Sequence, residues 1–444
     1  MHSSTALGVV VAASHAAQPL EASASLAFAQ SSTLTEDDEE PPAEPPAEPP
    51  AEPPAELLAA LPSPLPLLPR RLPAPSALGG RRPKVGLCYD LREDYLKRGF
   101  TLEQTAEFES LETVVALERA LRARGYRVER VGGARRLIQK LAAGQRWDFV
   151  FNIAEGLWGP AREAQVPTIL EVYGVPCVFS DPLVLALSLN KGLTKRVVRD
   201  AGVPTAEFFV LRDPSDLPLI NAAPLRYPVF AKPIAEGTSK GISALCKAHS
   251  ADELRRACEE LWARFHQPVI VETFLSGREF TVGVVGSGER ARAVGVMEVI
   301  FTEASAAEGD SYSYETKTNY SGQIRYEVAR DAEAGRAAEV ALSAWRALGC
   351  RDGGRVDVRS NERGEPQFLE VNPLAGLRPG YSDLVVLAQM HGVSYEELIG
   401  MILDSFEDDL TQRRPPFEVD EGRSALRAAP LKPVAPRPRR SRGA

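Results

Sequence analysis

Cysteine is scarce in this chain. Cys88, Cys177, Cys246, Cys258 and Cys350 are an odd number, lie far apart and form no C-x-x-C pair, so neither a disulfide framework nor a zinc site is indicated. Long apolar runs are missing too. Nothing approaches the roughly 20 residues a membrane helix needs, and the most apolar early stretch, residues 6–13, has no basic flank before it as a secretory leader would. A cytoplasmic protein without membrane contact is expected. Nor is there an excess of basic charge. The 52 Lys and Arg stand against 60 Asp and Glu, a formal net charge of −8, which argues against nucleic acid as a partner because phosphate backbones are bound by clustered cations.

With 44% hydrophobic and 25% charged residues over 444 positions, the chain can bury a large core and divide into lobes. Only its ends are compositionally odd. Residues 1–81 run from small residues through an acidic stretch into repeated Pro-Pro-Ala-Glu. Fixed φ, missing amide donors and little to bury predict an extended, disordered arm. Residues 409–444 alternate Arg and Pro and are expected to form a disordered basic tail.

Between the ends, strand and helix patterns alternate. An apolar strand at 84–89 precedes a helix over 107–125, in which Leu111, Val114, Leu117 and Leu121 recur at helical spacing. Strands at 126–131, 148–153 and 175–179 with helices at 134–143 and 166–173 complete an open parallel α/β lobe over residues 82–183. One helix over 185–201 and strands at 208–211 and 227–233 open a second lobe, 184–270, and Ser250-Ala-Asp-Glu253 is a capping box for a helix ending near 265. Strands at 269–273, 279–285 and 293–301 read as antiparallel neighbours, and 355–360 with 367–371 as another pair. Helices over 332–348 and 394–404 would cover that sheet in a third lobe, 271–408.

Four segments carry chemistry. Asp357 lies in Gly-Arg-Val-Asp-Val, and Glu370 and Asn372 lie in Phe-Leu-Glu-Val-Asn-Pro. Residues two apart on a strand share a face, so Glu370 and Asn372 point together and Asp357 can join them from the neighbouring strand. The result is an all-oxygen cluster of the kind magnesium takes, although the same alternation also suits an exposed hairpin. Arg355 shares the face of Asp357, where a fixed cation would stabilise developing charge, and an ordinary salt bridge is its plainer reading. Lys232, inside the apolar strand Pro228-Val-Phe-Ala-Lys-Pro233, needs an anion. The loop Ala235-Glu-Gly-Thr-Ser-Lys-Gly241 that follows can lay its amides along phosphate oxygens.

Taken in order, these blocks resemble the ATP-grasp superfamily, and within it the D-alanine:D-alanine ligases, over residues 83–404. The likeness is carried by Asn190-Lys-Gly-Leu-Thr-Lys195, Phe230-Ala-Lys-Pro233 with Glu236-Gly-Thr-Ser239, residues 272–280, Arg355-Val-Asp357, Glu370-Val-Asn372 through Gly376, and Gly392-Val-Ser-Tyr-Glu-Glu-Leu398. It implies α/β and α+β architecture, an ATP-grasp fold in which a Rossmann-like parallel α/β lobe is followed by two α+β lobes clasping ATP. It also implies that Lys191 and Lys232 contact ATP phosphates, that Glu236, Thr238 and Ser239 belong to the phosphate loop, that Glu272 and Leu275 border adenine, and that Glu279 holds the ribose. Asp357, Glu370 and Asn372 would bind two magnesium ions, with manganese as a substitute. Arg355 would sit beside the reacting centre, the Gly376 amide would hold the oxyanion, Ser382 would hold the second substrate's carboxylate, and Lys317 would close as a lid lysine within residues 303–322.

The activity so implied is ATP-dependent ligation of two D-alanines through an acyl phosphate for peptidoglycan precursors. Small amino acids would be the partners, and a homodimer the expected assembly. Another amino-acid or dipeptide pair is the first alternative, and a nucleotide-binding regulator without catalysis the second. The first lobe departs from the family. Its opening strand runs into Tyr89-Asp-Leu-Arg-Glu-Asp94, either Glu107 or Glu109 stands where a glutamate orients the first ammonium, a histidine is replaced within Asn152-Ile-Ala-Glu155, and Thr318 follows the lid lysine.

Overall fold

The computed structural model describes residues 82–222, 226–301 and 324–412. The Pro-rich arm, the lid stretch with Lys317 and Thr318, and the tail beyond Gln412 lie outside the described residues. Among those described, no helix is long and apolar enough to cross a membrane, and all five cysteines are free.

Three sheets organise the chain. The first is parallel, in the order β2-β1-β3, from β1 (Lys84–Tyr89), β2 (Arg127–Arg130) and β3 (Phe149–Ile153). The short α1 (Arg92–Leu96) follows β1, and the crossovers are α2 (Leu111–Ala123) and α3 (Ala134–Ala142). The helix expected from residue 107 begins only at Leu111, because Ser110 is its N-cap and accepts from the Thr113 amide. That leaves Glu107 and Glu109 on an irregular segment, tied to the lobe by a bridge from Leu91 to Glu109. The strand expected at 175–179, after α4 (Gln165–Val172), is reduced to one bridge between Val150 and Cys177. Pro176 has no amide to give, and Phe179 at φ 76° turns the chain away.

The single helix expected over 185–201 is two helices, α5 (Pro182–Leu189) and α6 (Lys191–Asp200). Asn190 makes the break. It ends α5 in an extended conformation and caps α6 with its side chain on the Leu193 amide. The interruption leaves Lys191 as the first residue of a new helix.

The second sheet, β4-β7-β5-β6, is antiparallel and contains β4 (Phe208–Leu211), β5 (Val229–Pro233), β6 (Lys247–Ala248) and β7 (Val269–Thr273). It is covered by α7 (Ala251–Phe265), capped by Ser250 on the Glu253 amide as the sequence predicts. The third sheet, β10-β9-β8-β11-β12, comprises β8 (Glu279–Val285), β9 (Arg292–Phe301), β10 (Ile324–Val328), β11 (Gly353–Ser360) and β12 (Pro366–Asn372). β7 therefore does not neighbour β8. Residues 274–278 carry the chain out of one sheet and into the next, and β8 pairs with β11 instead. The alanine-rich face of α8 (Ala332–Leu348) buries Ala334, Ala337, Ala341 and Ala344 with Trp345 over this sheet.

Two helices close the chain, α9 (Asp383–Met390) and α10 (Tyr395–Gln412). The sequence reading lacks α9 and ends α10 too early, since the helix continues through the start of the expected tail with Asp409 and Leu410 buried. α10 completes the core of the first lobe: Phe406 is fully buried with its ring 5.1 Å from that of Phe149. Tyr126 also hydrogen-bonds Glu407 across this contact.

Candidate active site

Two cavities meet between the sheets. The first, about 130 Å³, is lined by Lys232, Thr238, Ser239, Glu272, Leu275, Glu279, Asp357 and Glu370. On β7, Glu272 is 3% exposed and holds two lysines, Lys232 Nζ at 2.7 Å from Oε2 and Lys195 Nζ at 2.7 Å from Oε1. Burial pushes this carboxyl up, but the two ammonium charges outweigh it and hold it down to about 2. The side chain expected beside adenine is thus committed to lysines, while Leu275 lines the cavity from the connector beyond. Glu279 is paired with Arg359 at 3.1 Å, and burial raises its carboxyl above the ordinary value.

The loop after β5 is built tightly. Thr238 and Ser239 take left-handed φ of 51° and 56°, unusual outside glycine. Lys191 Nζ donates to the Glu236 carbonyl at 2.5 Å, and Lys240 pairs with the Glu236 carboxylate at 2.5 Å. Gly237 lies close under Glu107: a Cβ there would stand 2.6 Å from Glu107 Oε1, so a side chain would require that carboxylate to move.

At the junction of the cavities lie the expected metal residues. Asp357 and Glu370 are cross-strand partners, and Asn372 Nδ2 reaches Asp357 at 3.3 Å. Arg355 bonds to Asp357 and stands 3.7 Å from Asp383, while Thr281 donates to Asp357 at 2.9 Å. Burial, then the Glu370 and Asp383 charges, raise Asp357 against the pull of Arg355. Glu370 goes the other way. Burial opposes ionisation there, but Lys191, 3.4 Å away, with Lys232 and Arg355, holds it down to about 2. No group of three His, Cys, Asp or Glu among the described residues is disposed to hold a metal. Two carboxylates and a carboxamide oxygen nevertheless fit magnesium, a hard cation that commonly takes one or two carboxylates and completes its shell with phosphate and water.

The second cavity, about 140 Å³, extends from this junction to the first lobe and is lined by Glu107, Glu109, Glu155, Glu163, Gly376 and Ser382. The Ser382 hydroxyl accepts from the Arg378 amide at 3.0 Å, and a Cβ on Gly376 would come within 2.8 Å of it.

The chain's relatives are consistent with this geometry. A model of the family described as D-ala D-ala ligase C-terminus matches residues 197–404. The uncharacterized protein y4sG of Sinorhizobium fredii is 33% identical over 258 residues, 57% of this chain and 73% of that protein. The D-alanine--D-alanine ligase of Bordetella pertussis is 38% identical over 274 residues, 61% of this chain and 81% of that one. The chain belongs to the D-alanine–D-alanine ligase family. The fold agrees: the D-alanine--D-alanine ligase structure from Bacillus anthracis complexed with ATP superposes with a TM-score of 0.56 at 19% identity. It covers 74% of this chain and 99% of that one.

Against that family background, the first lobe separates the two candidate glutamates. Glu107 is engaged on all sides, by Arg162 at 3.2 Å, by Lys240 at 3.2 Å and by the Gly237 amide at 3.0 Å. These cations hold it below the ordinary carboxyl range despite its burial. These partners occupy the carboxylate that the sequence expects to receive a substrate ammonium. Glu109 is raised by burial, against the pull of Thr113, the Leu377 amide and the Arg92 and Arg378 charges. Glu155 and Glu163 line the same cavity and make no hydrogen bond or ion pair with the described residues. Burial, with neighbouring carboxylates, raises both, Glu163 to about 7.

Sequence reasoning assigned no role to Lys195, Arg162, Lys240 or Arg359. Lys195 had one legible signal, its place one helical turn after Lys191 on α6. Lys240 sits inside the loop Ala235 to Gly241, but nothing in sequence pairs it or Arg162 with Glu107, 133 and 55 residues away.

Proposed function

We propose that this chain joins two D-alanines at the expense of ATP, through an acyl phosphate, to supply peptidoglycan precursors. The observation that carries the reading is the shared wall of the two cavities. Lys191, Gly237, Thr238, Arg355, Glu370 and Asp383 line both, so a phosphoryl group bound on one side lies against a carboxylate bound on the other. ATP fits the first cavity, with Lys232 and Lys191 on its phosphates, the Glu236 to Ser239 loop offering amides, Leu275 against adenine and Glu279 at the ribose.

The first amino acid then fits the second cavity with its carboxylate toward Arg355. Oxygen of that carboxylate attacks the γ-phosphorus and ADP leaves. The second amine attacks the acyl carbon and phosphate leaves. Arg355 and the Gly376 amide stabilise the negative charge that develops at that carbon, and Ser382 orients the second carboxylate. Asp357, Glu370 and Asn372 would hold magnesium, two ions in our reading, which would neutralise phosphate charge. Lys317 would close over the phosphates and exclude water. Glu155 and Glu163, rather than Glu107, are the carboxylates free to receive the first ammonium. We take the lobes as 82–183, 184–270 and 271–408, and the enzyme as a cytoplasmic homodimer acting on small molecules.

The engagement of Glu107 by Arg162 and Lys240 favours one second reading, the same chemistry on another amino-acid pair. Purified chain with ATP, magnesium and D-alanine, followed by ADP release and dipeptide formation, tests the proposal. D-alanine-dependent turnover supports it. ADP release with other amino acids but none with D-alanine would leave the chemistry standing and remove the substrate.

A further inference from the structure

Lys195 is fully buried, and its ammonium hydrogen-bonds Thr205 Oγ1 at 2.9 Å and the Phe368 carbonyl at 3.1 Å and forms an ion pair with Glu272 Oε1 at 2.7 Å. Two hydrogen bonds and one ion pair hold the ammonium as a tripod. Its feet stand on β7, on Thr205 three residues before the start of β4, and on β12. Thr205 also donates to the Phe368 carbonyl at 2.8 Å, so β12 is gripped immediately before Leu369, where its register slips, and two residues before Glu370.

The charge arrangement is unusual for a buried ion pair. Glu272 carries one negative charge and faces two lysines, Lys195 and Lys232, one on each oxygen. A lone pair of Lys232 and Glu272 would be neutral and would offer an anion little. With Lys195 sharing the carboxylate, the trio keeps a net positive charge while Lys232 remains fixed at the cavity wall. Glu370 also stabilises the Lys232 ammonium, and the charge of the trio still favours an anion at the cavity wall.

We infer that Lys195 is a positioning residue that keeps Lys232 available to an anionic ligand and locks the Glu370-bearing strand to the same point. The anion is the polyphosphate of the nucleotide, and in this the inference rests on the function proposed above. Lys195 itself touches no substrate.

The test is a cycle of Lys195→Met, Glu272→Gln and the double variant, read by the KM for ATP, the KM for amino acid, kcat and the unfolding midpoint. In Lys195→Met, Glu272 belongs to Lys232 alone, and the KM for ATP rises about tenfold, the scale of one lost charge-assisted contact. The KM for amino acid stays within twofold. In the Glu272→Gln background the same change has little further effect, because the competition for the carboxylate is gone. Equal rises in both KM values, or independent effects in the double variant, would overturn the inference. Thr205→Val, which removes one acceptor and keeps the charge, shifts the KM for ATP in the same direction by a smaller factor and serves if Lys195→Met does not fold.

Titration of Lys232 by carbon-13 methyl labelling separates this inference from the nucleotide reading. The Lys232 midpoint rises in Lys195→Met whatever the ligand is, and an unchanged midpoint sinks the role of Lys195 even if ATP is the substrate.

Discussion

Asp357 stands directly across the β11–β12 pair from Glu370, and the register slips one residue beyond them, so that Val358 pairs with Phe368 and Leu369 is left over. In a regular strand Phe368 and Glu370 would share a face. The bulge separates them: Phe368 packs in the core under α8, while Glu370 lines both cavities. One extra residue thus lets a buried strand present a carboxylate to the site without losing its core anchor.

If the cluster has the proposed role, Glu370→Gln keeps the fold and lowers kcat for ADP release by about 10²-fold or more, the range for removing one preorganised electrostatic group at a reacting centre. Lys191, 3.4 Å from Glu370, loses its partner, so the KM for ATP changes as well. Single-turnover ADP formation measures the first effect, and unchanged formation would remove Glu370 from the site.

Much of this site was legible in sequence because strand alternation and short motifs are local. Glu370 and Asn372 share a cavity as their spacing says, and Lys232 sits in its apolar strand against an anion, which proves to be Glu272. The rest depended on distant partners. The period of two places Phe368 with Glu370, and only the pairing with β11 reveals the bulge. The break at Asn190 was hidden because Asn suits both a helix end and a cap. The third-lobe strands were found but β7 was given the wrong neighbour, since hairpin logic joins consecutive strands and here a connector changes sheets. The closing of the first lobe by α10 brings Phe406 to Phe149 across 257 residues, a contact no periodicity encodes.

That last contact makes a stability prediction. Phe406→Ala removes a fully buried ring from the core shared by β3 and α10 and costs about 3–5 kcal/mol, the usual price of Phe→Ala in a core. Chemical denaturation of the two proteins checks it. A loss under about 1 kcal/mol would mean that α10 packs loosely on the first lobe.

The contact between Glu107 and the phosphate loop makes another. Gly237→Ala would put a methyl 2.6 Å from Glu107 Oε1, so either the Glu107 carboxylate leaves Arg162, Lys240 and the loop amide or the loop that carries Thr238 and Ser239 shifts. The KM for ATP is expected to rise roughly tenfold, as misplacement of a positioning loop does. Adding Glu107→Ala to Gly237→Ala relieves the clash and returns part of the loss. If Gly237→Ala is kinetically silent, the loop is not held by Glu107.

Glu163 gives the pH dependence. Burial first, then the Glu107 charge, raises its carboxyl from 4.5 to about 7, while Arg162, Lys191 and Lys240 oppose the shift. The folded state therefore binds the proton more tightly than the unfolded chain. Its contribution to stability is fully present below the unfolded value of 4.5 and is lost as pH rises through about 7. The wild-type unfolding midpoint should fall between pH 5 and 8, and Glu163→Gln should flatten that fall. Binding reads the same group from the other side. An ammonium placed beside Glu163 favours its ionised form, so amino-acid binding releases roughly half a proton per site at pH 7, where the carboxyl is half titrated. Calorimetry in two buffers of different ionisation enthalpy measures the release, and Glu163→Gln should abolish it. Proton uptake on binding, or release unaffected by Glu163→Gln, would mean that the first ammonium is received elsewhere in the cavity.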